Sequence, residues 1–193
     1  MRKLLVTRQS ACLKPMLALI EELPHRILVL WSLDCARHVL PVFETRFSND
    51  PRPSKALEAA DKWARGEIKM PEAKRAAHAT HDAATAVGFD PAACAAARAM
   101  GHAIGTVHVE THAIGVVMYG ITVFVYDAGD EAADDVIARE CKWFYDRLVY
   151  WQTEGEKIKG PWAPFLMREG VPNKEKLLRL KQEQKKRDIS SNV

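Results

Sequence analysis

The chain has 193 residues, is 48% hydrophobic and 27% charged, and carries a formal charge of +3. That composition excludes a disordered chain, and the length suits one globular domain with or without a tail. Its four cysteines, Cys12, Cys35, Cys94 and Cys141, form no CxxC pair. Their spacing argues against a zinc knuckle, a redox motif and a disulfide framework, and points to the cytoplasm. From Lys174 to Asp188, seven basic and three acidic residues give +4 and leave about −1 for the remainder. The body is therefore no basic platform for nucleic acid; only the tail could serve as one.

The opening Met1-Arg2-Lys3-Leu4-Leu5-Val6 resembles the start of a signal peptide, but Arg8 and Lys14 interrupt it before an apolar region develops. The longest uncharged stretch, Thr111–Tyr126, is shorter than the ~20 residues that span a bilayer, so no membrane association is expected.

In chain order, Met16–Leu23 reads as a short helix closed by Pro24. Ile27–Phe47 places Leu30, Leu33, Val39, Leu40 and Phe43 at helical spacing, and Pro41 is expected to kink or end that helix near Ala36–Arg37. Three alanine-rich helices follow, Glu58–Arg65, Glu72–Val87 and Pro91–Ile104. Pro53-Ser54, Pro71 and Asp90-Pro91 supply their starts, and Gly66 and Gly88 their stops. Gly115–Tyr126 has strand-like composition, but it is apolar on both parities, which favours a buried helix.

Asp127–Asp135 is a turn and an acidic helix start. Ala133–Gln152 is amphipathic through Val136, Ile137, Phe144, Leu148 and Trp151. Gly155–Pro172 reads as a loop, Asn173 as the cap of a helix from Lys174 to about Arg187, and Ser190–Val193 as a frayed end. No repeat of fixed period occurs. The expected fold is all-α: a single-domain multi-helix bundle of about seven helices in helical hairpins, with a C-terminal basic helix. The divisions are a helical domain over residues 1–155 and a loop with the basic helix over 156–193.

The histidines are the main chemical feature. His108 and His112, four apart, are expected on one helix face; His102 lies off that face, and His78 and His81 fall on another helix. Imidazoles from neighbouring helices could hold a metal, with His108 and His112 as its ligands. Neither the Glu-x-x-His pattern of di-metal bundles nor HExxH is present, so no metal and no cofactor are expected. Close packing over Gly101 and Gly105, with the histidines filling the remaining space, explains the same stripe.

Trp31, Asp34 and His38 share a second face, on which Asp34 could orient His38. No serine or cysteine nucleophile stands in the right relation, so no catalytic residue is assigned. Arg52 could bind carboxylate or phosphate and Trp63 could supply a stacking wall, or they serve as a loop-to-helix clamp and a core residue. Asp127, Asp130, Glu131, Asp134 and Asp135 suit a helix start through the helix dipole, and the same cluster would steer a basic partner. They lack the spacing of an EF-hand.

A set of segments together resembles a known family. They are Trp31-Ser-Leu-Asp34-Cys-Ala-Arg-His-Val-Leu-Pro41, Phe43-Glu44, Asp50-Pro-Arg-Pro53, Ala56, Ala59-Ala60 and Trp63-Ala-Arg-Gly-Glu67. Further on come Arg75-Ala-Ala77, His81, Ala95-Ala-Ala-Arg-Ala-Met-Gly-His-Ala103, His108-Val109 and His112-Ala113. They resemble the immunity-five-like group of predicted immunity proteins from bacterial polymorphic toxin systems, over roughly residues 25–125. The resemblance implies a helical cytosolic protein that binds a cognate toxin and blocks it, not an enzyme, and it transfers no catalytic residues.

Three readings follow. The first is a toxin-binding protein with the acidic segment as one surface. The second is a metal- or small-molecule-binding protein or enzyme with a polar pocket of Trp31, Asp34, His38, Arg52, Trp63, His78, His81, His102, His108 and His112. The weakest is nucleic-acid binding through the tail. The oligomeric state stays open, a homodimer included.

Overall fold

The computed structural model describes residues 4–168 and 174–190. Residues 1–3, 169–173 and 191–193 lie outside the described residues, and with them the first part of the signal-like start, the end of the expected 155–172 loop, the Asn173 cap and most of the expected frayed end. Among the described residues there is no strand, and there are eight α-helices rather than about seven. They are α1 (Lys14–Glu22), α2 (His25–Arg46), α3 (Arg52–Ala64), α4 (Met70–Ala86), α5 (Pro91–His108), α6 (Ala113–Asp127), α7 (Ala133–Glu154) and α8 (Lys174–Ser190). Short 3-10 turns occupy Ala11–Leu13, Glu110–His112, Gly155–Lys157 and Pro164–Met167.

Local chemistry accounts for most boundaries. Proline sits in the first turn of α1, α3, α4 and α5, where its missing N–H costs no helical hydrogen bond. The Asp90 side chain accepts from the Ala93 N–H at 3.0 Å and caps α5. Gly66 follows α3 at φ +77°, a conformation that only glycine adopts cheaply.

Helix α5 is the hub and packs against α2, α3, α4 and α6. Its buried face is almost entirely alanine, from Ala92 to Ala103, so neighbouring helices approach closely on several sides. α6 packs on α5, α2 and α7. Its Val- and Ile-rich sequence is helical because burial of most of its circumference against three helices overrides strand propensity. A Cβ on Gly120 would lie 2.6 Å from Phe144 Cζ and 3.0 Å from Val39 Cγ2, so that glycine sets how near α6 comes to α7 and α2. The buried apolar side chains, Val136 apart, form one cluster that runs from Val6 to Leu166.

Two local expectations are corrected. Pro41 does not end α2, which runs unbroken to Arg46. Pro41 and Arg37 both lie on the exposed side of the helix, so the carbonyl that loses its N–H partner is at the solvent side. His108 and His112 do not share a helix. α5 stops at His108, Val109 is extended at φ −144° and ψ 119°, and His112 belongs to the next turn.

α8 lies against α1. Lys176 Nζ pairs with Glu22 Oε1 at 3.1 Å and Arg179 Nε with Glu21 Oε2 at 2.9 Å. Cys12, in the 3-10 turn before α1, meets Cys141 of α7, and burial pushes the Cys141 thiol up to about 12. No helix among the described residues is long and apolar enough to cross a membrane.

Candidate functional site

Most of the residues singled out in the sequence fall into four places, and His78, His81 and Arg52 lie outside them. Trp31, Asp34 and His38 do share a face of α2, but the face meets α7 rather than a pocket. The Trp31 indole donates to the Phe144 carbonyl at 3.0 Å. Asp34 accepts from Arg147 Nε at 2.6 Å and from the Trp151 indole at 2.8 Å. His38 lies 3.2 Å from Glu140 and stacks on Trp143, with ring centroids 3.7 Å apart. Asp34 therefore does not orient His38; Glu140 does. The three side chains make a polar seam between two helices, and each has a partner from α7 that helical spacing on α2 could not name.

The second place is the corner between α5 and α6. His102 Nδ1 and His112 Nδ1 stand 3.3 Å apart, so one ring donates and the other accepts. A Cβ on Gly115 would lie 2.2 Å from the His102 ring, and one on Gly105 would lie 2.8 Å from the His112 ring. Each histidine thus fills the space above a glycine of the other helix. Burial, followed by the neighbouring His112 and His81, lowers His102 to about 4. Burial also lowers His112. Both rings are neutral at pH 7. Among the described residues no three His, Cys, Asp or Glu side chains gather to hold a metal ion.

His78 and His81 are exposed on α4, and His81 lies across from Gly101 of α5. Arg52 is clamped to Asp50, Nε to Oδ1 at 2.8 Å and Nη2 to Oδ2 at 2.6 Å, at the entry to α3. The Arg52 guanidinium holds the Asp50 carboxyl below its ordinary value.

The third place is a cleft of about 1060 Å³ at the end of the molecule that contains the start of α2 and the end of α5. Trp63, almost fully buried, forms its wall, stacked on His108 and tilted against Phe165, with centroids 6.1 Å away in each case. His25 and Glu110 meet inside it. Sequence reading left out His25, Glu110 and Phe165. Glu110 reaches the cleft because α5 ends at His108 and the extended Val109 redirects the chain into the next turn.

The opposite end carries the acidic segment. Arg46 bridges Asp127 and Asp90, and Arg139 pairs with Glu131. Asp130, Asp134 and Asp135 are exposed and belong to no ion pair among the described residues. Next to Asp90, Phe89 is 75% exposed, its ring edge-on to Phe47 at 5.9 Å. Phe89 was also missed, although its place between a helix stop at Gly88 and a helix start at Asp90-Pro91 is itself a signal of exposure.

The fold defines the class, an all-helical protein. Residues 18–148, from within α1 to the inner part of α7, match the family model described as Imm-5 like putative immunity protein, and the chain belongs to that family. The match takes in the acidic end and the polar seam apart from Trp151, and it is wider than the segments that carry the resemblance. No curated protein and no solved structure matches the chain.

Proposed function

We propose that this chain is an immunity protein that binds a cognate protein toxin in the bacterial cytoplasm and blocks it. The family match over residues 18–148 carries this reading. The toxin docks, on this proposal, at the acidic end. Phe89, 75% exposed, supplies an apolar anchor, and Asp130, Asp134 and Asp135 supply charge that draws a basic partner. Aromatic anchors dominate binding energy at protein interfaces, whereas surrounding charges chiefly set the association rate. The polar groups of the α2–α7 seam are engaged with one another, which leaves them as scaffold.

The test is co-expression with the toxin of the same locus, followed by binding kinetics of the purified pair. Wild-type protein restores growth. Phe89→Ala raises the dissociation rate about tenfold or more. Lysine at Asp130, Asp134 and Asp135 together slows association about tenfold or more at low salt. A toxin that binds all three proteins alike places the interface elsewhere, and failure to protect or to bind refutes the toxin reading itself.

A further inference from the structure

Helix α2 separates the two ends of the molecule. Its last residue, Arg46, belongs to the acidic end, and its first, His25, faces the large cleft about 30 Å away. At about 1060 Å³ the cleft is large enough for a small organic ligand or an inserted side chain.

Most charges that line it are matched. Arg26 pairs with Glu156, Lys176 with Glu22, and Glu21 with Arg179. Glu110 is different. Its side chain is only 13% exposed, and among the described residues its one ion-pair partner is His25, with Nδ1 3.5 Å from Oε1. His25 cannot serve as a cation cheaply. Its Nε2 lies 2.6 Å from the Thr106 carbonyl, which can only accept, so the ring proton sits on Nε2. Burial, the largest influence, lowers its pKa despite Glu110, and Lys174 and His108 add to the lowering. Where the ring is neutral, its bare Nδ1 lone pair faces the Glu110 carboxylate. The two acceptors lie side by side and open into the cleft, where one donor can reach both of them. Arg168 and Lys174 also line the cleft, and neither forms an ion pair with Glu110.

We propose that this cleft binds the ammonium or guanidinium group of a ligand, with N–H donors to the Glu110 carboxylate and His25 Nδ1 and its flat or alkyl part against Trp63 and Phe165. Such a group provides the missing donors and the missing positive charge at once. Trp63 and Phe165, aromatic residues of the same lining, give the ligand's apolar part a surface to bury. Arg168 and Lys174 suit a ligand that also carries a carboxylate apart from its cationic group, and free arginine has that charge pattern.

The experiment is calorimetric titration of the full chain with L-argininamide, which keeps the cation and lacks the carboxylate, and with L-arginine and inorganic phosphate alongside. Argininamide is expected to bind saturably and to move the His25 ring nitrogen resonances. Glu110→Gln weakens it about tenfold or more. L-Arginine is expected to bind at least as tightly. Absence of argininamide binding, equal binding by Glu110→Gln, or binding of phosphate in its place overturns the proposal. Should Glu110→Gln fail to fold, the wild-type His25 resonances decide, because no movement on titration also overturns it. Native mass spectrometry of the protein purified from its host distinguishes the sources: a small bound amine identifies a free ligand, and an unliganded mass leaves a side chain of a protein partner as the natural cation. The outcome is separate from the toxin-docking test, which reads Phe89 at the far end.

Discussion

Removing the Asp34 carboxylate tests whether the α2–α7 seam holds the molecule together. The carboxylate accepts from Arg147 Nε at 2.6 Å and from the Trp151 indole at 2.8 Å, and Arg147 Nη2 lies 2.6 Å from the same oxygen as an ion pair. Hydrogen bonds to a charged group contribute about 1.5–3 kcal/mol each. Asp34 is 22% exposed and Arg147 31% exposed, so water can replace part of the guanidinium's loss, and its share falls toward the ~0–1 kcal/mol of an exposed pair. Asp34→Ala is then expected to cost about 2–4 kcal/mol, most of it for the indole N–H and the fork left without an acceptor. Asp34→Asn keeps one acceptor oxygen and costs about 1–2 kcal/mol. In a chain of this length the alanine variant lowers Tm by about 5–15 °C. Urea and thermal unfolding measure both variants, and a double-mutant cycle with Arg147→Met isolates the pair. A Tm within about 2 °C of wild type for Asp34→Ala, equivalent to less than about 1 kcal/mol, would refute the reasoning. The same samples separate the two assignments of His38. Glu140→Gln perturbs the His38 ring resonances, and Asp34→Asn leaves them in place.

Two further outcomes follow from the packing and from the buried histidines. Gly120→Ala gains about 1 kcal/mol of helix propensity but drives a methyl into Phe144 and Val39, both fully buried, so a net loss of about 1–2 kcal/mol is expected in urea unfolding; an unchanged or raised midpoint shows that α6 can shift. His102 has a folded-state pKa of about 4 against an ordinary 6.5, so the unfolded chain binds more protons between those values. Stability is therefore complete above about pH 6.5 and falls as pH drops toward 4, by about 3 kcal/mol from His102 alone, and the lowered His25 and His112 act in the same direction. His102→Asn should flatten the dependence of the urea midpoint on pH over that window, and an identical slope in both proteins would remove His102 as its source. The toxin kinetics and the argininamide titration complete the set.

What the sequence by itself determined is local. Alanine content, first-turn prolines, the Asp90 cap and Gly66 marked helices and their ends, because those effects act within a few residues. The family resemblance rested on the same short segments and was matched by the family model. The 3.6-residue period placed Trp31, Asp34 and His38 on one face of α2 correctly. It could not say that α7 covers that face, because Glu140, Phe144, Arg147 and Trp151 lie more than 100 residues away. The same period failed at Val109, where one extended residue turned a presumed stripe into two helices and brought His102 rather than His108 against His112. The tertiary structure alone decided which polar groups found partners. Asp34 and His38 are satisfied across a helix interface, whereas Glu110 faces a cleft assembled from separate stretches of the chain, with His25 beside it. Burial and long-range register set those pairings, and neither is a property of any local segment.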